Sequence, residues 1–416
     1  MPPRTLLWDG TLLMRTRAIA ATDASLAAAV AQLRADAADA AKLPLQTVTS
    51  KRKAPEGGDL HDYVTYSSYT WPCTATCNKT LFANCSKWVA APAKSCNKST
   101  GLPWVGHDGY NDPAAALDRP HWSAMVGAVN ALSASAFFLN ESDHADRAAH
   151  MLRAWFLHNA TRMRPAARFA QQIPGLPPRA PGLIDFSDGA DPGGGGNYDT
   201  SVSLAHLLDS ARLLEWAAPQ AWAAADVAAL EAWVAAWLEW VLSPAGNGNS
   251  YATNNIGSWY DSMTAASAFF VGNRTVVDRI CAAAPTKRIG EQVAADGALP
   301  AEDQRTKSES YHNFALVALL ELATICPALY SYETPGDGRS LRGAVEWMVP
   351  YAEGRLPWTA GAQVRPFDAS VWGRVYRAAA IGYPDSVRRF ATIAAAQPGA
   401  NSSREQLLRP YPADAR

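Results

Sequence analysis

The stretch Leu230-Glu231-Ala232-Trp233-Val234-Ala235-Ala236-Trp237-Leu238-Glu239-Trp240-Val241-Leu242 decides the fold class. Its residues Leu230, Trp233, Val234, Trp237, Leu238 and Val241 recur at steps of three and four, which places them on one stripe of an α-helix. The same period runs on both sides of it. Met125, Val126, Val129 and Leu132 mark a helix within Trp122 to Leu139. Ala145, Ala148, Ala149, Leu152, Trp155 and Phe156 mark the next, with Ser142 as its expected N-cap. Leu204, Leu207, Leu208, Ala211 and Leu214 form another stripe, and later ones follow Val276, Leu316 and Val345. The Ala-rich run from Ala24 to Ala41 favours helix by propensity. Convincing alternating strands are absent from the pattern. Successive amphipathic segments of this kind predict an all-α chain of antiparallel helix pairs, as in a toroid or a solenoid.

The longest irregular stretches run from Lys51 to Pro113 and from Gln172 to Asn197. Helical style does not change across either, so they read as long loops of one domain spanning 1–416. With 416 residues, 48% hydrophobic and 18% charged, the chain can bury a large core. A net charge of -1 gives no global pull toward nucleic acid or anionic membrane. The apolar run from Ala232 to Leu242 is broken by Glu239 and is shorter than the roughly 18 residues of a membrane span.

Cys73, Cys77, Cys85 and Cys96 crowd one window that also holds the sequons at Asn78, Asn84 and Asn97. Further sequons lie at Asn140, Asn159, Asn273 and Asn401. Glycan acceptors interleaved with cysteines point to a secreted protein with a disulfide-stapled loop at about 73–96, whose pairing the sequence leaves open. Cys281 and Cys326 lie far from that window, on helical segments. The segment Met1 to Trp8 has no continuous apolar core, so a signal peptide is expected to lie outside the sequence shown.

Two segments carry candidate chemistry: Asn254-Asn255-Ile256-Gly257-Ser258-Trp259-Tyr260-Asp261, ahead of a helix read over Met263 to Val271, and Arg305-Thr306-Lys307-Ser308-Glu309-Ser310-Tyr311-His312-Asn313. Thr306 to Glu309 reads as a capping box, so Tyr311 falls in the first turn of a helix and on the stripe Tyr311, Phe314, Ala318, Leu322. A phenol is a poor base at neutral pH, but a helix N-terminus and the guanidinium of Arg305 both favour its phenolate. Asparagine amides at a helix entrance can donate to a carboxylate without adding charge. Each residue also has a plain alternative: Tyr311 as core, the asparagines as a cap. Asp296 and Glu302 are two carboxylates that a glycosidase could use, although exposure on a turn explains them as well. Asp59, His61 and Asp62 match no metal-ligand spacing, and neither metal nor cofactor is expected.

Taken together, these residues resemble the alginate lyase domain of secreted polysaccharide lyases. Lys51-Arg52-Lys53-Ala54-Pro55-Glu56-Gly57-Gly58-Asp59-Leu60-His61-Asp62-Tyr63 is similar to the family's Lys/Pro-rich segment, and Tyr69-Thr70-Trp71-Pro72 to its aromatic one. Trp155-Phe156, Thr161-Arg162-Met163 and Gln171-Gln172-Ile173-Pro174-Gly175 resemble the central signature. Asp296-Gly297, Pro300, Glu302, Arg305-Thr306 and Tyr311 resemble the last. The resemblance implies an incomplete (α/α) toroid that cleaves a 1,4-linked polyuronate by β-elimination. It assigns carboxylate neutralisation to Asn255 and Arg305 and proton transfer to Tyr311. It implies substrate contacts from Lys51, His61, Tyr63, Tyr69, Gln171, Gln172, Asn254, Trp259, Tyr260 and His312. The expected partner is an acidic polysaccharide, and a monomer is expected. One departure stands out: the family's histidine position is Ile256. Gln171, Gln172, Asn254 or His312 could supply the missing donor. A polyuronate-binding protein with impaired catalysis and a glycoside hydrolase are the competing functions.

Overall fold

The computed structural model describes residues 1–55, 57–66, 70–72, 104–106, 117–172 and 198–411. The cysteine window 73–96, Tyr69 and the sequons at 78, 84 and 97 lie outside the described residues.

Helices dominate. In chain order they are α1 (Gly10–Ile19), α2 (Ala27–Lys42), α3 (Arg119–Leu139), α4 (Ser142–Leu152), α5 (Tyr198–Ser201), α6 (Leu204–Ala217), α7 (Ala224–Leu242) and α8 (Asn255–Phe270). They continue as α9 (Arg274–Ala284), α10 (Pro300–Asp303), α11 (Ser308–Ile325), α12 (Leu341–Ala352), α13 (Trp372–Gly382), α14 (Val387–Ala396) and α15 (Glu405–Leu408). An inner series packs side by side, α3 on α6, α6 on α8, α8 on α11 and α11 on α13. Outer helices back it: α2 and α4 lie on α3, α7 and α9 on α8, α12 on α11 and α13, and α14 on α13. This is an (α/α) toroid. α15 packs on α1 and α2, joining the two ends of the chain.

The stripe read first from sequence is the buried face of α7: Leu230, Trp233, Val234, Trp237, Leu238 and Val241 are all buried. The inner helices α8 and α11 are buried nearly all round, flanked by their neighbours in the series and backed by outer helices. Caps define several starts, as where Asn273 accepts from Val276 N to begin α9 and Ser340 from Gly343 N to begin α12. Cys281 on α9 and Cys326 just past α11 form a disulfide, a pairing the sequence did not reveal.

Several local expectations need correction. Ser142 is the first residue of α4 rather than its cap; Glu141 occupies the cap without a side-chain bond. Two short strand pairs exist where none was expected. β1 (Val64–Tyr66) runs parallel to β4 (Phe169–Gln172), and β2 (Thr70–Pro72) antiparallel to β3 (Trp104–Gly106). At three or four residues each they are too short for an alternating pattern to be legible. α3 is long and apolar enough to cross a membrane by length and composition, which the sequence reading overlooked, yet most of it is buried between α2, α4 and α6. The four described sequon asparagines, Asn140, Asn159, Asn273 and Asn401, are all exposed.

Candidate active site

α8 begins earlier than its periodicity suggested. Asn254 is its cap, with Oδ1 accepting from Ile256 N at 3.1 Å, so Asn255 is the first helical residue. The approach to α8 is anchored from below by Arg288, which is fully buried. It donates to Asp261 Oδ2 at 2.7 Å, to the Ala252 carbonyl at 2.7 Å and to the Ser250 carbonyl at 3.0 Å. Gly257 lets that guanidinium pass. A Cβ there would stand 2.1 Å from the Ala252 carbonyl oxygen and 2.2 Å from an Arg288 nitrogen.

α11 carries Tyr311. Its start is not a capping box: Lys307 is the cap residue and makes no side-chain cap bond. The segment 362–364 displaces that motif. Val364 N donates to the Thr306 carbonyl at 2.9 Å, and Ser308 N to the Ala362 carbonyl at 3.1 Å. Glu309 instead accepts from Trp372 Nε1 at 2.7 Å, which ties α11 to α13.

Glu302 bonds to Asn255 through its carboxylate and to Arg305 through its backbone, and Arg305 in turn lies against Tyr311. Glu302 on α10 accepts from the Asn255 backbone N–H at 2.7 Å and from Asn255 Nδ2 at 2.8 and 3.0 Å. Its own carbonyl accepts from Arg305 N at 3.1 Å. The Arg305 guanidinium then lies over the Tyr311 ring, 3.6 Å from the centroid. Asn255, Arg305 and Tyr311 are 1%, 8% and 7% exposed, so the three candidate side chains are nearly covered. Glu302 is buried and not, as expected, exposed on a turn; Asp296 separately caps Ala298 N at 3.0 Å.

A second polar group lies where β1 meets β4. Gln171 adopts a left-handed backbone (φ 52°) at the irregularity in that pair. Its N–H donates to Thr65 Oγ1 at 2.8 Å and its Nε2 to Asp199 Oδ1 at 3.0 Å. Asp199 is buried, accepts from Thr65 and Arg119, and sits on α5, which packs against both β4 and α8. Asp199, Arg119 and Arg288 were not found from sequence, since nothing in their local pattern separates them from other charged residues. Gln172 is half-buried.

The remaining expected substrate contacts divide. His61 keeps partial exposure, with Nδ1 on the Arg162 carbonyl at 2.7 Å. Lys51 is committed to a buried pair, donating to Asp118 Oδ2 at 2.8 Å; burial lowers its pKa while Asp118 opposes the shift. Tyr63 is fully buried, and desolvation pushes its phenol well above the usual range. Trp259 is buried against Phe314, and Tyr260 donates to the Val241 carbonyl at 3.0 Å, with burial pushing its pKa up to about 12. His312 is buried, bonded to Asp303 at 2.7 Å, stacked on Trp347 and edge-on to Trp358. Tyr63, Trp259, Tyr260 and His312 are therefore core residues. Their aromatic bodies fill space between helices, a use the sequence pattern does not separate from ligand stacking.

An (α/α) toroid of this kind can house a polysaccharide lyase, and a family match assigns that class. A family model described as alginate lyase matches residues 47–358. The chain belongs to the alginate lyase family. It is similar to an alginate lyase from Bacteroides ovatus, at 25% identity and a TM-score of 0.80, over 98% of this chain and 99% of that one. It shares its fold with alginate lyase A1-III from Sphingomonas species A1, at 14% identity and a TM-score of 0.52 over 98% of each chain. A histidine-to-alanine variant of alginate lyase A1-III complexed with tetrasaccharide gives 14% identity and 0.54 over 99% of this chain and 97% of that one. No curated protein matches the chain.

Proposed function

We propose that this polysaccharide lyase cleaves a 1,4-linked polyuronate, a polymannuronate-type alginate or a glucuronan, by β-elimination at the Arg305–Tyr311 pair. The observation that carries this reading is the guanidinium held over the phenol ring at the first turn of α11. Arg305 binds the sugar carboxylate and offsets the charge that spreads into it as C5 loses its proton. The phenolate oxygen of Tyr311 takes that proton. The C4–O4 bond then breaks, the electron pair left at C5 forms the C4=C5 double bond, and Tyr311 returns the proton to O4. Asn255 completes the group through Glu302.

The exposed asparagines at 140, 159, 273 and 401 suit a secreted glycoprotein, and we read 1–416 as one domain acting as a monomer on an acidic polysaccharide. Purified protein with polyuronate should release chains ending in a conjugated double bond that absorbs in the ultraviolet. Tyr311→Phe should remove that absorbance while the melting temperature stays; an active Tyr311→Phe protein would move the base elsewhere.

Ile256 supports a second reading, a polyuronate-binding protein with impaired turnover, since its side chain offers no hydrogen bond where the family carries histidine. Tight binding without new double bonds across several polymers would favour it. A hydrolase reading loses support, because Glu302 is buried and bound to Asn255.

A further inference from the structure

A cavity of about 450 Å³ begins one turn past the candidate residues on both of their helices. Its wall includes Trp259 of α8, which follows Asn255, and Asn313 and Phe314 of α11, which follow Tyr311. Three residues along a helix rise about 4.5 Å and share a face, so the cavity continues the face of α11 on which Tyr311 stands. Arg374 and Arg377 of α13 and Glu405 of α15 supply its charged lining. The size falls within the range of ligand sites, roughly 300–1,000 Å³. Solvent reaches it, since Ser370 and Val371 in its wall are exposed and Asn313, Phe314 and Arg374 are half-buried.

The charge at this cavity is one-sided. Glu405 is spent outside it, with Oε2 3.3 Å from Arg409 Nε. Arg374 meets Glu321 and His206 through Nη2 alone, and among the described residues its other nitrogens make no hydrogen bond. Arg377 is buried, donates to the Arg409 carbonyl at 2.9 Å and lies 4.3 Å from the centre of the Tyr411 ring, with no carboxylate bonded to it among the described residues. A desolvated guanidinium with donors to spare is costly, and an anion in the cavity offsets that cost. The half-buried ring of Phe314 stands in the same wall. A guanidinium beside an aromatic ring suits an acidic sugar, whose carboxylate takes the planar donor fork and whose apolar ring face packs on the aromatic.

We propose that this cavity is a second acidic-sugar subsite, in which Arg374 takes the carboxylate of the uronate next to the one held at Arg305 and Tyr311. This rests on the polyuronate-lyase reading and narrows it. The preferred substrate carries uronates on consecutive sugars, and a polymer in which the same uronate alternates with a neutral sugar is bound more weakly.

The test compares those two polymers on the full chain. The wild type should bind the polyuronate roughly tenfold more tightly than the alternating polymer, the worth of one charge-assisted hydrogen bond. Arg374→Gln should raise KM for polyuronate by about tenfold with kcat close to wild type, as expected for a contact made equally before and during the reaction. Its affinity for the alternating polymer should hardly change. Because Arg374 also meets Glu321, a second variant leaves that contact intact: Val371→Glu adds a like charge to the wall of the cavity and should raise KM about threefold at low salt and less at high salt. Unchanged KM in both variants would overturn the proposal, and so would equal wild-type affinity for the two polymers or a loss in kcat alone. If the wild type binds polyuronate without cleaving it, the lyase reading fails and the same comparison, read in Kd, decides the subsite. Binding of neither polymer overturns both.

Discussion

Arg305 and Tyr311 are stacked, with the guanidinium carbon 3.6 Å from the centre of the phenol ring. A guanidinium is planar and matches both an aromatic face and a carboxylate, whereas an ammonium is a point charge. Arg305→Lys should therefore retain the charge but lose much of the rate. We expect kcat on polyuronate to fall by about tenfold or more for Arg305→Lys and about a hundredfold or more for Arg305→Ala. Initial rates of ultraviolet absorbance at saturating polymer check this. Equal rates for wild type and Arg305→Ala would remove Arg305 from the chemistry.

Ile256 is the second residue of α8, next to Asn255 and largely covered. Its apolar side chain sits where the family resemblance implies an imidazole donor. Ile256→His should then raise kcat on polyuronate, by roughly tenfold or more if the new donor reaches the carboxylate, since one pre-organised donor is worth on the order of a hundredfold. A drop in rate without loss of folding would mean that the site is built around the isoleucine and that another group fills the role.

His312 directly follows Tyr311 but serves the core. Its Nε2 meets Asp303 at 2.7 Å, and its ring stacks on Trp347 with centroids 5.0 Å apart. His312→Ala removes a buried hydrogen bond and a stacked ring together, so it should cost about 2–4 kcal/mol of unfolding free energy. Denaturant melts measure that directly. Activity per folded molecule should stay close to wild type; a hundredfold loss in a fully folded variant would make His312 the donor that Ile256 lacks.

The helices were legible because each buries one stripe or one whole surface, and a period near 3.6 survives in the letters wherever that happens. The candidate site was legible in part, as the starts of α8 and α11 that carry Asn255 and Tyr311. What escaped was tertiary. Glu302 looked like a turn carboxylate, because nothing local says that it reaches a helix N-terminus 47 residues away in sequence. Trp259 and Tyr260 looked like sugar-stacking rings, because amphipathic aromatics serve core and cleft alike. Thr306 to Glu309 spelled a capping box, yet the backbone of 362–364 took its hydrogen bonds. Cys281 and Cys326 could not be paired before α9 and α11 were known to meet.

Asp209 gives a prediction about stability that is independent of the reaction. It is buried on α6, and its two oxygens accept from Leu6 N and Leu7 N, each at 2.7 Å, which holds the N-terminal segment to the ring. Burial pushes its pKa up from 3.8 to about 7, against the pull of those backbone donors. The folded state thus binds the proton more tightly than the unfolded state does. The contribution is complete below about pH 4 and is lost as pH rises to about 7, because over that range folding must retain a proton that the unfolded chain has released. That difference in proton affinity is worth as much as about 4 kcal/mol. Unfolding free energy measured between pH 4 and pH 8 should fall in the wild type relative to Asp209→Asn, whose amide does not titrate. Parallel curves for the two proteins would mean that Asp209 keeps an ordinary acidity and that the N-terminal segment is held by its carboxylate at every pH tested.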